Sequence, residues 1–339
     1  MQITGLITEY NPFHNGHAYH IQAAKQTAGA DYCVALMSGS FVQRGEPAVF
    51  DKYERALMAL RAGADLVLEL PFPFSTASAR EFAAFGVALF SALGVDSLVF
   101  GSECGRIEPL SQVAALLLAE QPAFQRELKS QLRRGQTWPK ARAAALSALA
   151  GVSPAGPLLT PESVSALLAT PNNILGIEYL RAGMALQSPL AFHTIRRRGS
   201  AYHDRALPGQ ADEAPHSGSA APERDADLAR PNGAAPGQTA DPPRPDGRLL
   251  PSASALRRLL EHAYSQWDGT GPIPNAARLL QGYVPPQALP ALAGAVPVFP
   301  DDLSDFLNYR LLLSAWPPIA DLTPELEARL RRGAYAPLS

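Results

Sequence analysis

A rhythm in the first hundred residues constrains this chain most: short apolar runs alternate with longer stretches of helical period. The runs are Gln2 to Thr8, Asp31 to Met37, Asp65 to Leu70 and Ser97 to Phe100. Turn signals follow them: Asn11-Pro12, Ser38-Gly39-Ser40, Pro71 with Pro73, and Gly101. Between the runs, His17 to Ala28, Asp51 to Ala62 and Ala77 to Leu93 read as helices, the second with Tyr53, Leu57, Leu60 and Ala64 on one side. Strand, helix, strand in this order needs crossover connections, and crossovers join parallel strands. The expected fold class is α/β, a doubly wound parallel sheet. Ligands of such sheets sit at the carboxyl ends of the strands, here the segments after Thr8, Met37, Leu70 and Phe100.

Farther on, Ile107 to Ala150 reads as helical, with Leu110, Val113, Ala114 and Leu117 on the apolar stripe, and another helix runs from about Asn173 to Ala185. Residues 207–248 differ in kind: 8 prolines, 5 glycines and 9 alanines, without one Ile, Val, Phe, Tyr or Trp. Such a segment buries too little apolar surface to offset its ordering entropy, so a disordered insertion is expected. Helical pattern resumes from Ala253 to Trp267. Residues 301–335 read as two helices around Trp316-Pro317-Pro318.

The charge balance excludes a chain that is basic throughout: 29 Lys and Arg face 31 Asp and Glu, so any nucleic-acid site must be a local patch. Two cysteines, Cys33 and Cys104, make neither a disulfide framework nor a four-thiolate metal site. No run of about 18 apolar residues exists to span a membrane, and no basic-then-apolar leader opens the chain. A reduced, cytoplasmic protein is expected, with no protein-held metal.

The chemistry is concentrated in Thr8-Glu9-Tyr10-Asn11-Pro12-Phe13-His14-Asn15-Gly16-His17, where a strand ends, the chain turns and a helix begins with His-x-Gly-His. His14 and His17 share a face of a first helical turn. The helix N-terminus offers unpaired N–H groups and a positive dipole end to a phosphate. Gly16 removes a side chain where a nucleotide approaches the backbone. Two imidazoles beside an α-phosphate can donate to charge that develops during adenylyl transfer. Any one histidine is more often a satisfied core or surface side chain; the whole string after a first strand is not explained that way.

The string resembles the His-x-Gly-His signature of the nucleotidylyltransferase superfamily, which binds ATP on a doubly wound sheet and transfers AMP. A second signature of that superfamily is similar to Ser252-Ala253-Ser254-Ala255-Leu256-Arg257. Its hydroxyls would cap a helix and, with the amides, grip the β- and γ-phosphates, while Arg257 would pair with leaving pyrophosphate. Alone, Ser-x-Ser before a helix is an ordinary N-cap.

Further strings narrow the resemblance: Met37 to Ala48 (MSGSFVQRGEPA), Glu69-Leu70-Pro71, Phe100-Gly101-Ser102-Glu103, Pro171 to Gly176 (PNNILG) and Arg197 to Asp204 (RRGSAYHD). In this order they resemble the bacterial tRNA(Met) cytidine acetate ligase family. Its members activate acetate with ATP as acetyl-adenylate and acetylate the N4 amine of the wobble cytidine of elongator tRNA(Met). The resemblance implies ATP, with accompanying Mg²⁺, as cofactor and acetate and elongator tRNA(Met) as partners; no protein partner is implied. It implies an ATP segment of Ile7, Thr8, Glu9, Tyr10, Asn11, Pro12, Phe13, His14, Asn15, Gly16, His17, Ala18, Tyr19 and His20. It adds Gly101, Asn172, Arg197, Arg198 and Ser254, with Asn173 and Arg196 as alternatives to their neighbours. His14, His17 and Arg257 are the catalytic candidates.

Ser38, Gly39, Gln43 and Arg44 follow the second strand, where this superfamily commonly holds the acceptor; they line the acetate pocket or the cytidine entry, or form a plain turn. Lys52 and Arg55, one helical turn apart, reach phosphates or belong to a solvated face. The basic clusters open to tRNA are Arg126 to Arg142, Arg196 to Arg198 and Arg329 to Arg332. The implied organisation is a nucleotidylyltransferase-like catalytic domain over 1–206, the 207–248 insertion, a completing motif and helix over 249–267, and a helical region over 268–339 that is shorter than in family members. Another adenylyltransferase, or a nucleotide-binding module without catalysis, are the competing readings.

Overall fold

A computed structural model describes residues 1–119, 122–150, 160–197, 249–312 and 322–333. The expected insertion over 207–248, Arg198, Tyr202-His203-Asp204 and Trp316-Pro317-Pro318 lie outside the described residues.

Five parallel strands form one sheet: β1 Ile3–Thr8, β2 Tyr32–Ser38, β3 Leu66–Leu70, β4 Ser97–Ser102 and β5 Ala191–Arg196, in the order β3-β2-β1-β4-β5. The helices between and after them are α1 Asn15–Ala28, α2 Lys52–Arg61, α3 Ala79–Ala92, α4 Ile107–Leu118, α5 Pro122–Arg133, α6 Trp138–Ala150, α7 Pro161–Leu168, α8 Pro171–Leu186 and α9 Ala253–Ser265. Side chains alternate across the sheet, as strand geometry requires. Val34, Leu36, Leu98 and Phe100 enter one core with α3, α4 and α8. Leu6, Cys33, Ala35, Met37 and Val99 enter the other with α1, α2 and α9. Both faces are covered, which is why these strands read as continuous apolar runs.

The chain winds outward from β1 to β2 and β3, then restarts at β4 on the other side of β1. The β1–β4 ladder covers only Thr4↔Ser97 and Gly5↔Leu98. Beyond it the carboxyl halves of the two strands do not pair, and a crevice opens at the topological switch point.

Three expectations are corrected. A fifth strand, Ala191–Arg196, extends the sheet; its sequence AFHTIR has no apolar run, because an edge strand with half-buried side chains needs none. The long helical stretch after Ile107 divides into α4, α5 and α6, with Gly135 (φ +78°) between the last two. On α2 the expected apolar side is the exposed one: Tyr53 is 74% exposed, Leu57 40% and Leu60 41%, whereas Arg55, Met58 and Ala59 are buried.

After α9 the chain makes one turn of helix, Ala276–Leu279, then short 3₁₀ turns, and ends in α11 Ser304–Leu312 and α12 Pro324–Gly333, with α10 being the Ala276–Leu279 turn. Leu256 and Leu260 of α9 and Leu280, Val284 and Leu292 join the core beneath β1 and α1. This packing brings the second motif to the first.

Candidate active site

The crevice holds a cavity lined from four directions: the β1–α1 turn, the segment after β2, the ends of β4 and β5 with the start of α8, and the start of α9. At the end of β1, Tyr10 adopts a left-handed backbone (φ +50°) and the Asn11–Pro12 bond is cis, so the chain reverses before α1. Asn11 fixes the turn twice: its Oδ1 accepts the Val49 amide at 2.8 Å and its carbonyl accepts Arg257 Nη1 at 2.7 Å.

His14 is the N-cap of α1, not a member of its first turn. Its Nδ1 accepts the Gly16 amide at 3.0 Å, and His17 Nδ1 accepts the His14 amide at 3.3 Å. The two histidines thus form a reciprocal capping box. The rings lie 3.9 Å apart at 31°, and Tyr10 meets His17 edge-on at 4.9 Å. Burial is the main cause that lowers all three histidines of this helix: His14 to about 3, His20 to about 4, and His17 well below the usual range, with Arg197 adding repulsion. A neutral imidazole whose Nδ1 accepts a bond carries its proton on Nε2. Both Nε2–H groups are therefore free to donate from a cavity that Gly16 and His20 also line. A Cβ on Gly16 would lie 2.8 Å from His14 Cε1, so the glycine is required first by the His14 ring.

Not every residue of the Ile7 to His20 segment faces the cavity. Ile7, Thr8, Glu9, Tyr10, Asn11, His14, Gly16, His17, Tyr19 and His20 line it; Pro12, Phe13, Asn15 and Ala18 do not. Asn15 instead ties α1 to the later chain, its Nδ2 donating to the Leu249 carbonyl at 3.0 Å and the Gly282 carbonyl at 2.9 Å.

Of the four acceptor candidates, Gln43 and Arg44 line the cavity and Ser38 and Gly39 do not. A Cβ on Gly39 would meet the carboxylate tip of Glu69, an exposed and flexible side chain that can move aside. Glu9 projects between these elements: its Oε1 accepts the Gln43 amide at 3.0 Å. Burial raises the Glu9 carboxyl, opposed by that bond and by Arg257 and Arg44.

Lys52 and Arg55 are not phosphate ligands in waiting. Lys52 pairs with Glu69 at 2.7 Å. Arg55 is fully buried and donates only to backbone carbonyls: Phe50 at 3.0 Å, Glu9 at 2.7 Å, Ser38 at 3.0 Å, and Gly39. Burial lowers this guanidinium to about 10. It clamps the carboxyl ends of β1 and β2 together.

On the opposite wall, the loop after β4 and the start of α8 cap each other. Glu103 accepts the Asn173 amide at 2.9 Å and Asn172 Nδ2 at 2.6 Å, while Asn173 Oδ1 accepts the Glu103 and Cys104 amides at 3.0 and 3.2 Å. The two asparagines separate cleanly. Asn173 is buried in that loop; Asn172 lines the cavity, where its Oδ1 accepts Arg197 Nη1 at 3.2 Å. Gly101, Arg196 and Arg197 line the same wall; Arg198 lies outside the described residues.

At α9, Ser252 is the N-cap, accepting the Ala255 amide at 3.1 Å. Ser254 and Arg257 line the cavity, with Arg257 Nη2 3.4 Å from Ser254 Oγ. The sequence motifs did not reveal the apolar walls Phe82, Tyr179 and Ile195, although Leu175, also in the lining, stands in the Pro171 to Gly176 string. Phe100, at a strand end, carried a positional signal. Glu9 is the one carboxylate of the lining, and the described residues contain no cluster of three His, Cys, Asp or Glu able to hold a metal. No helix among them is long and apolar enough to cross a membrane.

The HIGH Nucleotidyl Transferase family model matches residues 1–221. A protein named tRNA(Met) cytidine acetate ligase from Caldanaerobacter subterraneus subsp. tengcongensis is 47% identical over 211 residues, 62% of this chain and 50% of that protein. One of the same name from Alkaliphilus metalliredigens is 49% identical over 211 residues, 61% and 49% of the two chains. The chain therefore spans about half the length of the curated relatives it matches. Among solved structures, apo Thermotoga maritima TmcAL superposes with a TM-score of 0.77 at 32% identity, covering 98% of this chain and 68% of that one. The same protein bound with alpha-thio ATP gives 0.74 at 31% identity, covering 98% and 67%.

Proposed function

This chain belongs to the HIGH nucleotidyl transferase family, and we propose that within it the chain is an ATP-dependent tRNA(Met) cytidine acetate ligase. The observation that carries the nucleotide half is the pair of neutral imidazoles at the N-terminus of α1, both lining the cavity with Nδ1 committed to a cap amide, which leaves Nε2–H as the donor. The names of the relatives carry the acetate and tRNA half.

In this reading ATP lies across the switch point. His14 and His17 receive the α-phosphate through their side chains, the first amides of α1 being bonded within the protein, at the point where charge grows as the acid oxygen attacks in line. Ser254, Arg257 and the α9 N-terminus receive the β- and γ-phosphates and the departing pyrophosphate. Gly101, Asn172 and Arg197 form the nucleoside wall. Gln43 and Arg44 face the cavity from the β2 side, where acetate would bind, with the Arg44 guanidinium matched to a carboxylate. Mg²⁺ would arrive on the triphosphate and spread its charge, since the lining offers one carboxylate, Glu9. The cytidine N4 amine then attacks the acetyl carbonyl of the mixed anhydride, forming the C–N bond as AMP leaves. No protein nucleophile is needed; positioning and charge stabilisation supply the rate. The enzyme would work in the cytoplasm, where its tRNA is.

Pyrophosphate exchange into ATP tests the first half. It should depend on added acetate and fall with formate, propionate and butyrate. Exchange driven equally by a different acid, or by a mononucleotide in place of an acid, would assign the chain to another adenylyltransferase reaction.

A further inference from the structure

The α5–α6 hairpin sits in the crossover between β4 and β5 and takes no part in the cavity. Its packing face is α5 residues Phe124, which is buried, and Ala123 and Leu128, which lean on the same core. At about 100° per residue, Arg126, Lys129 and Arg133 fall within roughly 60° of one another, on the side opposite Phe124. All three are exposed, as are Arg134 and Lys140 across the turn. None of the five side chains forms an ion pair or hydrogen bond with another described residue. Other described cations, Arg61, Arg80 and Arg258 among them, are also unpaired; the five differ in lying together on one hairpin. Lys25, Lys52, Arg142, Arg181 and Arg331 are all paired with carboxylates. Arg142, counted in the same basic cluster from sequence, is buried on Glu178 and is removed from it. The one acid on α5 within the cluster, Glu127, is occupied by Gln131 at 2.7 Å.

We propose that this exposed face of α5 and the following turn is an RNA-phosphate docking surface that holds the tRNA while its cytidine enters the cavity. The inference rests on the ligase reading. A polyanion matches the surface because its cations are spaced along a rigid rod: Arg126 to Arg133 spans about 10 Å of helix, room for two or three successive phosphates. Charge without apolar side chains among the five fits backbone contact and not base readout. The connection to the site is mechanical. The hairpin packs on α7, α7 on α8, and α8 begins at Pro171 and Asn172 in the cavity wall.

The test is tRNA binding by the full chain across a salt series, using bulk bacterial tRNA and an elongator tRNA(Met) anticodon stem-loop. The triple variant Arg126→Ala, Lys129→Ala, Arg133→Ala should bind 10- to 100-fold more weakly at low salt. Its slope of log affinity against log salt should be shallower by roughly two to three. Acetate-dependent pyrophosphate exchange should be unchanged, since none of the three touches the cavity. The double variant Arg126→Lys, Arg133→Lys should keep the wild-type slope. A triple variant that binds tRNA with wild-type affinity and slope overturns the docking surface and leaves the ligase reading standing. Wild-type protein that exchanges pyrophosphate but binds no tRNA overturns both. Tighter binding of poly-glutamate or anionic vesicles than of RNA, lost in the triple variant, assigns the surface to another partner and overturns the proposal.

Discussion

His17 Nδ1 accepts the backbone N–H of His14, and His14 Nδ1 in turn accepts that of Gly16, so two catalytic candidates are also the cap of the helix they open. One arrangement satisfies two orphan amides and fixes both tautomers, in two rings that line the cavity. Fold and chemistry cannot be separated at these residues by deletion to alanine, which removes the cap as well.

A substitution that keeps the cap does separate them. Asparagine is a good N-cap residue, so His14→Asn should fold normally while lacking the Nε2–H. Acetate-dependent pyrophosphate exchange should fall about 100- to 1,000-fold, the usual cost of one donor at developing charge. Gly16→Ala should mimic it, because the new Cβ displaces the His14 ring. Exchange within twofold of wild type in His14→Asn would remove His14 from the reaction.

Arg55 holds the carbonyls of Glu9, Ser38, Gly39 and Phe50. Arg55→Ala strands these acceptors in the interior and should cost on the order of 3–5 kcal/mol in urea unfolding. Lys52→Ala, three residues earlier, should leave the unfolding midpoint where it is. Equal midpoints for the two variants would contradict the clamp.

Acid should weaken the ligand-free protein. Unfolded histidine takes a proton near pH 6.5; folded His14 and His20 wait until about 3 and about 4. Below pH 6.5 the unfolded state therefore binds more protons, and stability falls as pH falls until the folded residues protonate too. Glu9, raised by burial, contributes in the opposite sense, since its folded form takes up a proton first. Comparing His20→Gln with wild type isolates one histidine. The drop in urea midpoint from pH 7 to pH 5 should be smaller in the variant. An identical drop would mean that His20 is not held neutral by the fold.

Glu103 holds Asn172, the proposed ATP contact, by backbone and side chain and does not itself line the cavity. Glu103→Gln should raise the KM for ATP several-fold with little change in kcat. A loss confined to kcat would place Glu103 in the chemistry instead.

β1, β2 and β4 were legible because they are buried on both faces, which leaves continuous apolar runs, and β3, although an edge strand, keeps such a run in Leu66–Leu70. β5 was not, since an edge strand such as AFHTIR leaves no such run. The face of α2 was misread because a charged residue is assigned to solvent by default. Arg55 reverses that default by finding backbone acceptors, which no sequence pattern marks. The His-x-Gly-His and Ser-x-Ser strings did meet at one cavity. Which of Asn172 and Asn173 faces that cavity depends on a 100° helical step and on Glu103, neither of which the string Pro-Asn-Asn encodes. Ser38 and Gly39 looked like cavity residues from their place after β2, yet their carbonyls serve the Arg55 clamp.

The most direct test of the central claim is nucleoside analysis of tRNA after incubation with this protein, ATP and isotopically labelled acetate. Labelled N4-acetylcytidine should appear in elongator tRNA(Met), dependent on ATP and lost in His14→Asn. Labelled acetyl-adenylate with no labelled nucleoside in any tRNA would contradict it.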